Sequence, residues 1–204
     1  MTIILNRINI LFLLKTGTIS EKIMESFAKT IVLKTPLKSC DIQKLKAGDI
    51  VSLSGRIFSA RDAAHKKILS AIAEGIKLPV EIKGQTIFYL GPSPTPPGKA
   101  SGSIGPTTSA RMDEFTEPLL KEGLKAAIGK GARSEKTRVL FLKHGAVYFV
   151  ACGGIGAYLA QKVEKIKPAA YKDLGPEAIY MLEVKDFPLI VAYDIHGGDI
   201  FKQK

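Results

Sequence analysis

A mixed α/β fold, with a sheet layered against helices, is the class this sequence predicts on three observations. Short β-branched runs bounded by Pro, Gly and Lys alternate with stretches whose apolar residues recur at helical spacing. The alternation is not strict and there is no internal repeat, which suits a layered mixed domain better than a regular parallel array or a solenoid. The chain has 204 residues, 46% hydrophobic and 24% charged, enough to bury a substantial core and to exclude pervasive disorder. Its two cysteines, Cys40 and Cys152, exclude a disulfide framework and a C-x-x-C metal knuckle. The net charge of +11 favours anionic partners without choosing among nucleic acid, an acidic protein and a carboxylate substrate.

The sequence divides into an N-terminal extension, residues 1–28, and a single domain over residues 29–204. Within the extension, Ile8–Leu14 is apolar between Arg7 and Lys15. It is shorter than the about 20 residues needed to cross a bilayer, and no A-x-A cleavage pattern follows it. Met24 offers a second start just before the first strand-like run. A soluble, cytoplasmic protein is expected. Thr30–Leu33 and Asp49–Ser54 predict strands. Ala60–Ala73 predicts a helix, with Ala64, Ile68, Ala71 and Ile72 at helical spacing and Gly75 as its stop. Thr86–Leu90 predicts a strand leading into GPSPTPPGKASGSIGPTTSAR, an irregular segment of the length that commonly carries function. Asp113 is placed to cap a helix running through Leu119–Ala127 and ended by Gly129-Lys130-Gly131. Val147–Cys152 predicts a buried strand, Ile155–Ile166 a helix, and Ile179–Val184 and Leu189–Tyr193 two further strands.

Several motifs have plain structural readings. Gly91 through Ala100 lacks the spacing and the Ser/Thr of a phosphate loop, and its prolines remove backbone donors. Gly154-Ile155-Gly156 precedes a helix, but Leu159 occupies the third glycine position of a dinucleotide turn, so a strand-to-helix turn is expected. Asp194-Ile195-His196-Gly197-Gly198-Asp199 reads as a terminal turn rather than a metal site. Lys and Arg are scattered without a basic stripe, which is weak support for nucleic-acid binding.

Three segments carry more chemistry. In Gly105-Pro106-Thr107-Thr108-Ser109-Ala110-Arg111-Met112-Asp113, three hydroxyls and a guanidinium meet at a helix start. That combination can receive a carboxylate or phosphate, and a Ser/Thr capping turn with a surface Arg explains it equally well. Arg61 and His65 are four apart and would share a helix face, with Asp62 pointing elsewhere as a helix-start carboxylate. Lys130 stands alone between glycines, either as a ligand or as an ordinary helix C-terminus.

Taken in order, Ser54-Gly55-Arg56, Ser59-Ala60-Arg61-Asp62-Ala63-Ala64-His65, Tyr89-Leu90-Gly91-Pro92, the Gly105–Met112 string, Gly129-Lys130-Gly131 and Glu183-Val184-Lys185-Asp186-Phe187-Pro188 resemble the β-subunit of iron–sulfur hydro-lyases. These are the class I fumarases and L-tartrate dehydratases. The resemblance implies a swivelling β/β/α domain and reversible hydration of fumarate to malate, with L-tartrate dehydration as the alternative. It implies a hetero-oligomer, α2β2 being one arrangement, whose α-subunit alone ligates a four-iron, four-sulfur cluster. No metal ligand, nucleic acid or membrane is then expected of this chain. On the matched positions, Arg61, Arg111 and Lys130 would bind the four-carbon dicarboxylate beside Thr108 and Ser109. Thr107 would bind it too and act as catalytic base, with His65 and Asp62 as further catalytic candidates. A stand-alone anion- or nucleic-acid-binding module is the remaining alternative.

Overall fold

The computed structural model describes residues 30–202, so the extension and Met24 lie outside the described residues. Strand β1 (Ile31–Lys34), followed by the single-turn helix α1 (Ser39–Ile42), runs parallel to the opening half of β2 (Ile50–Ser59), with Ile31 opposite Val51 and Lys34 opposite Ser54. The array continues in parallel through β3 (Thr86–Phe88), β4 (Ala126–Gly129) and β5 (Val147–Val150). Two antiparallel strands follow, β6 (Val163–Ala170) and β7 (Ile179–Tyr193). Strand β7 pairs with both β5 and β2, so β2, β3, β4, β5 and β7 form a closed ring with β1 and β6 attached to it. The length of β7 makes closure possible. It follows β2 from Ile50 opposite Ile190 to Ser59 opposite Tyr180, absorbing a register shift between Leu53 and Gly55.

Alternation along the strands divides the core in two. Ile87, Ala127, Tyr148 and Ala192 pack with Ala64 and Ile68 of α2 (Asp62–Ala73), Phe115 and Leu119 of α3 (Asp113–Lys121), and Leu140 and Phe141 of α4 (Glu135–Lys143). Their strand neighbours Phe88, Ile128, Phe149 and Val191 point the other way, into a cluster with Leu53, Ile57, Leu182 and Phe187. The expected class, a mixed fold with a sheet packed on helices, is the one observed, and ring closure is an addition to it. No helix among the described residues is long and apolar enough to cross a membrane.

Four local expectations are corrected. Helix α3 stops at Lys121, and Ala126 and Ala127, expected in that helix, open β4, which runs on to the expected stop at Gly129. Gly123, at φ +88, breaks the helix, and the two alanines fit between β3 and β5, so tertiary packing overrides alanine's helical preference. Of the helix expected over Ile155–Ile166, only Gly156–Ala160 forms, and Val163 opens β6 against β7. The two strands expected over Ile179–Val184 and Leu189–Tyr193 are one, continuous because β2 pairs along both halves. Helix α4 was not expected; Ser134 caps it by accepting the Thr137 N–H at 3.3 Å. The Asp194–Asp199 segment is the expected turn: the Asp194 carboxylate accepts backbone N–H groups from Ala47, His196 and Gly198.

Candidate active site

Strands β2, β3 and β4 are parallel, so their C-terminal ends open on one side, where parallel α/β sheets hold ligands. Arg61 follows β2, Tyr89 follows β3 and Lys130 follows β4. The Thr107–Ser109 loop lies across these ends. Thr107 donates both its backbone N–H, at 2.8 Å, and its hydroxyl, at 3.1 Å, to the Tyr89 carbonyl oxygen. That oxygen can only accept, so the Thr107 proton is committed there and the hydroxyl lone pairs are what it can offer a ligand. Thr108 forms a parallel bridge with Lys130, making the loop a short extra strand beside β4. Ser109 secures it: its N–H donates to the Lys130 carbonyl at 3.2 Å, and its Oγ accepts the Lys130 N–H at 2.9 Å. Ser109 is fully buried, whereas Thr108, Arg111 and Lys130 are exposed and Thr107 is half-buried.

Arg61 is the N-cap of α2, with extended backbone at φ −122° and ψ −167°, so it does not share a helix face with His65 as expected. Its Nη2 lies 3.6 Å from Glu177 Oε1. Asp62, expected to point away, faces the loop, and its Oδ2 is 3.4 Å from Arg111 Nη2. The Asp62–Arg111 pair joins the start of α2 to the end of the Thr107–Ser109 loop, which Ser109 in turn joins to Lys130, whereas the Arg61–Glu177 pair joins Arg61 to the segment before β7. His65 is fully buried, its ring centroid 5.6 Å from that of Tyr89 and 5.4 Å from that of Phe115. Its Nδ1 donates to the Arg61 carbonyl at 2.8 Å. Burial, reinforced by the nearby Arg133 cation, pushes its pKa down to about 4 against the opposing effect of that hydrogen bond, so the ring is neutral at pH 7. His65 therefore supports the backbone of Arg61 from behind.

Arg133, which nothing in the sequence pattern singled out, organises the layer beneath. Its buried guanidinium pairs with Asp113, donates to Thr116 Oγ1 at 2.6 Å and Tyr89 Oη at 3.3 Å, and lies over the rings of Tyr89, Phe141 and Tyr148. Burial would raise the Asp113 pKa, but hydrogen bonds from Ser134 and the Arg133 charge outweigh it and hold the carboxyl below its usual range. The network ties the start of α3, and so the end of the Thr107 loop, to β3 and β5.

An open cleft of about 820 Å³ lies elsewhere, lined by residues that include Thr35, Gly55, Arg56, Glu183 and Asp186. None of the eight candidate residues lines it. The Ser54-Gly55-Arg56 and Glu183–Pro188 motifs meet there as β2–β7 partners, Gly55 opposite Val184 and Arg56 opposite Glu183. The candidate hydroxyls and cations lie instead at the ends of β2, β3 and β4. As for a cluster, Cys40 and Cys152 are both free, and no group of three or more His, Cys, Asp or Glu among the described residues is arranged to hold a metal. The donors present here do not fit an iron–sulfur cluster bound by thiolates.

A family model described as Fumarase C-terminus matches residues 13–204. The chain is 38% identical over 183 residues to "Fumarate hydratase class I, anaerobic" of Escherichia coli, covering 88% of this chain and 33% of that protein. It is 36% identical over 175 residues to "Fumarate hydratase 2" of Leishmania major, covering 84% of this chain and 31% of that protein. Against "Putative L(+)-tartrate dehydratase subunit beta" of Methanocaldococcus jannaschii it is 41% identical over 169 residues, covering 80% of this chain and 87% of that protein. The chain thus spans about a third of the length of these fumarate hydratases and matches most of the separate subunit.

Proposed function

The chain belongs to the Fumarase C-terminus family, and on that premise we propose that it is the β-subunit of an iron–sulfur hydro-lyase interconverting fumarate and malate. The observation that carries the reading is the gathering of Thr107, Arg61, Arg111 and Lys130 around the ends of β2, β3 and β4 through the contacts between Asp62 and Arg111 and between Ser109 and Lys130. The cluster is assigned to an α-subunit, with no ligand from this chain. L-tartrate dehydration is the second reading, favoured by the subunit-sized match to the protein of that name.

Removing the proton beside a carboxylate of malate builds negative charge on carboxylate oxygens. Cations held there lower the barrier if they are fixed beforehand. Arg61, Arg111 and Lys130 are the cations, and each is constrained: Arg61 by Glu177, Arg111 by Asp62, and the Lys130 backbone by Ser109. For Thr107 to take the carbon-bound proton, its hydroxyl proton, engaged by the Tyr89 carbonyl, must first pass to solvent; the alkoxide then becomes the hydroxyl again on accepting the substrate proton. An unaided hydroxyl is a weak base, and the surrounding positive charge favours its deprotonated form. The exposure of Thr108, Arg111 and Lys130 suits a half-site that a second subunit covers, excluding water and strengthening each charge.

Co-expression with a candidate α-subunit, followed by anaerobic assay on fumarate, malate and both tartrate enantiomers, tests the reading. Turnover by the complex and none by the chain alone is the expected result. A complex inert on all four diacids, or a lone chain that binds nucleic acid instead, discards it.

A further inference from the structure

Helix α2 begins with an anomaly. Its N-cap is Arg61, whose side chain has no acceptor for the free N–H groups of the first turn, where Ser, Thr, Asp or Asn is the usual occupant. The missing acceptor comes from far along the chain. Glu177, at the end of the 3-10 segment Lys172–Glu177 between β6 and β7, accepts the Ala63 N–H through Oε2 at 2.9 Å. The other oxygen of the same carboxylate, Oε1, faces Arg61 Nη2. One side chain thus caps the helix and restrains the arginine that displaced the usual cap.

The remaining sides of Arg61 are confined too. Gly91 leaves room for it: a Cβ there would lie 3.0 Å from Arg61 Nη1, 3.1 Å from Cδ and 2.9 Å from the Pro176 carbonyl oxygen. Arg61 Nε is buried and has no hydrogen-bond partner among the described residues. The guanidinium is therefore held between the Pro176-Glu177 segment and the end of β3, not left as a free surface rotor.

We propose that Glu177 is a positioning residue for Arg61, fixing the guanidinium in the orientation that receives a substrate carboxylate. The proposal rests on the reading above only in taking that carboxylate as the ligand. Glu177 does not simply compete with an anionic substrate, because Oε2 is committed to the α2 N-terminus, whose positive end offsets its charge. Losing the orientation weakens ground-state binding and loosens a charge that the transition state also uses, so KM rises and kcat falls with it.

Glu177→Gln separates the two tasks, since Gln retains an acceptor for Ala63 but not the ion pair. On the full chain, labelling by phenylglyoxal is followed peptide by peptide, with Arg111 as internal control. The expected result is severalfold faster labelling at Arg61 only, with an unchanged thermal midpoint, whereas Glu177→Ala also lowers the midpoint. In the assembled complex, Glu177→Gln raises KM for the diacid about tenfold and lowers kcat severalfold, and adds nothing once Arg61 is Ala. Wild-type labelling of Arg61 in Glu177→Gln, or accelerated labelling with an unchanged or lower KM, overturns the proposal. A wild-type complex without turnover counts against the hydro-lyase reading alone, and the labelling comparison then decides the positioning role by itself.

Discussion

Ser109 Oγ occupies the space that a side chain at Gly129 would need: a Cβ there would sit 1.8 Å from it and 3.0 Å from Tyr148 Oη. The glycine at the end of β4 is thus a steric requirement for seating the Thr107 loop. Gly129→Ala should displace that loop, destabilising the fold by about 1–3 kcal/mol and abolishing turnover. Denaturant unfolding should also show that Gly129→Ala/Ser109→Ala is less unstable than the sum of the single variants, because the second change removes the clashing oxygen. Strict additivity would contradict the steric account.

Thr107→Ala tests the chemistry with little structural cost. The Tyr89 carbonyl keeps the Thr107 N–H, so only one half-buried hydrogen bond is lost, worth about 1 kcal/mol. Turnover by the complex should fall by orders of magnitude while the thermal midpoint moves only slightly. Retained kcat would remove Thr107 from the proton-transfer step.

Arg133 predicts a stability effect far larger than its place in the sequence suggests. Arg133→Leu leaves Asp113 without its cation and Thr116 without its donor, a loss of about 3 kcal/mol or more. Arg133→Lys should rescue little, since a point charge cannot reach Asp113, Thr116 and Tyr89 together while staying over three rings. Calorimetric melting of the two variants checks both statements.

His65 makes stability depend on pH in a defined direction. Its pKa is about 4 when folded against 6.5 in its ordinary state, so below pH 6.5 the unfolded chain takes up the proton first. Its contribution is complete above that value and is lost as pH falls toward 4, amounting to on the order of 3 kcal/mol. The urea midpoint of the wild type should therefore fall relative to that of His65→Leu as the pH drops from 7 to 4. Parallel curves would show that His65 ionises freely in the native protein.

The site was partly legible in sequence because its residues cluster locally: Arg61 and Asp62 in one string, Thr107 through Arg111 in another, Lys130 between two glycines. The Asp62–Arg111 pair and the burial of His65 were not legible. Both depend on which way α2 faces after β2, and its partners lie far along the chain: Phe115 against His65, and Glu177 against the Ala63 N–H. Arg133 left no trace for a similar reason: its three aromatic neighbours are Tyr89 just after β3, Phe141 of α4 and Tyr148 of β5.

Local chemistry alone established the class of fold, the irregular loop after β3 and the order of the chemically active segments, since turn residues and apolar spacing act over a few positions. Only the folded chain decided that Ala126–Gly129 is a strand, that β7 is continuous, and that the sheet closes through β2 and β7. Those outcomes depend on partners distant in sequence. Small apolar residues take the backbone geometry that buries them best, so packing rather than propensity made the choice.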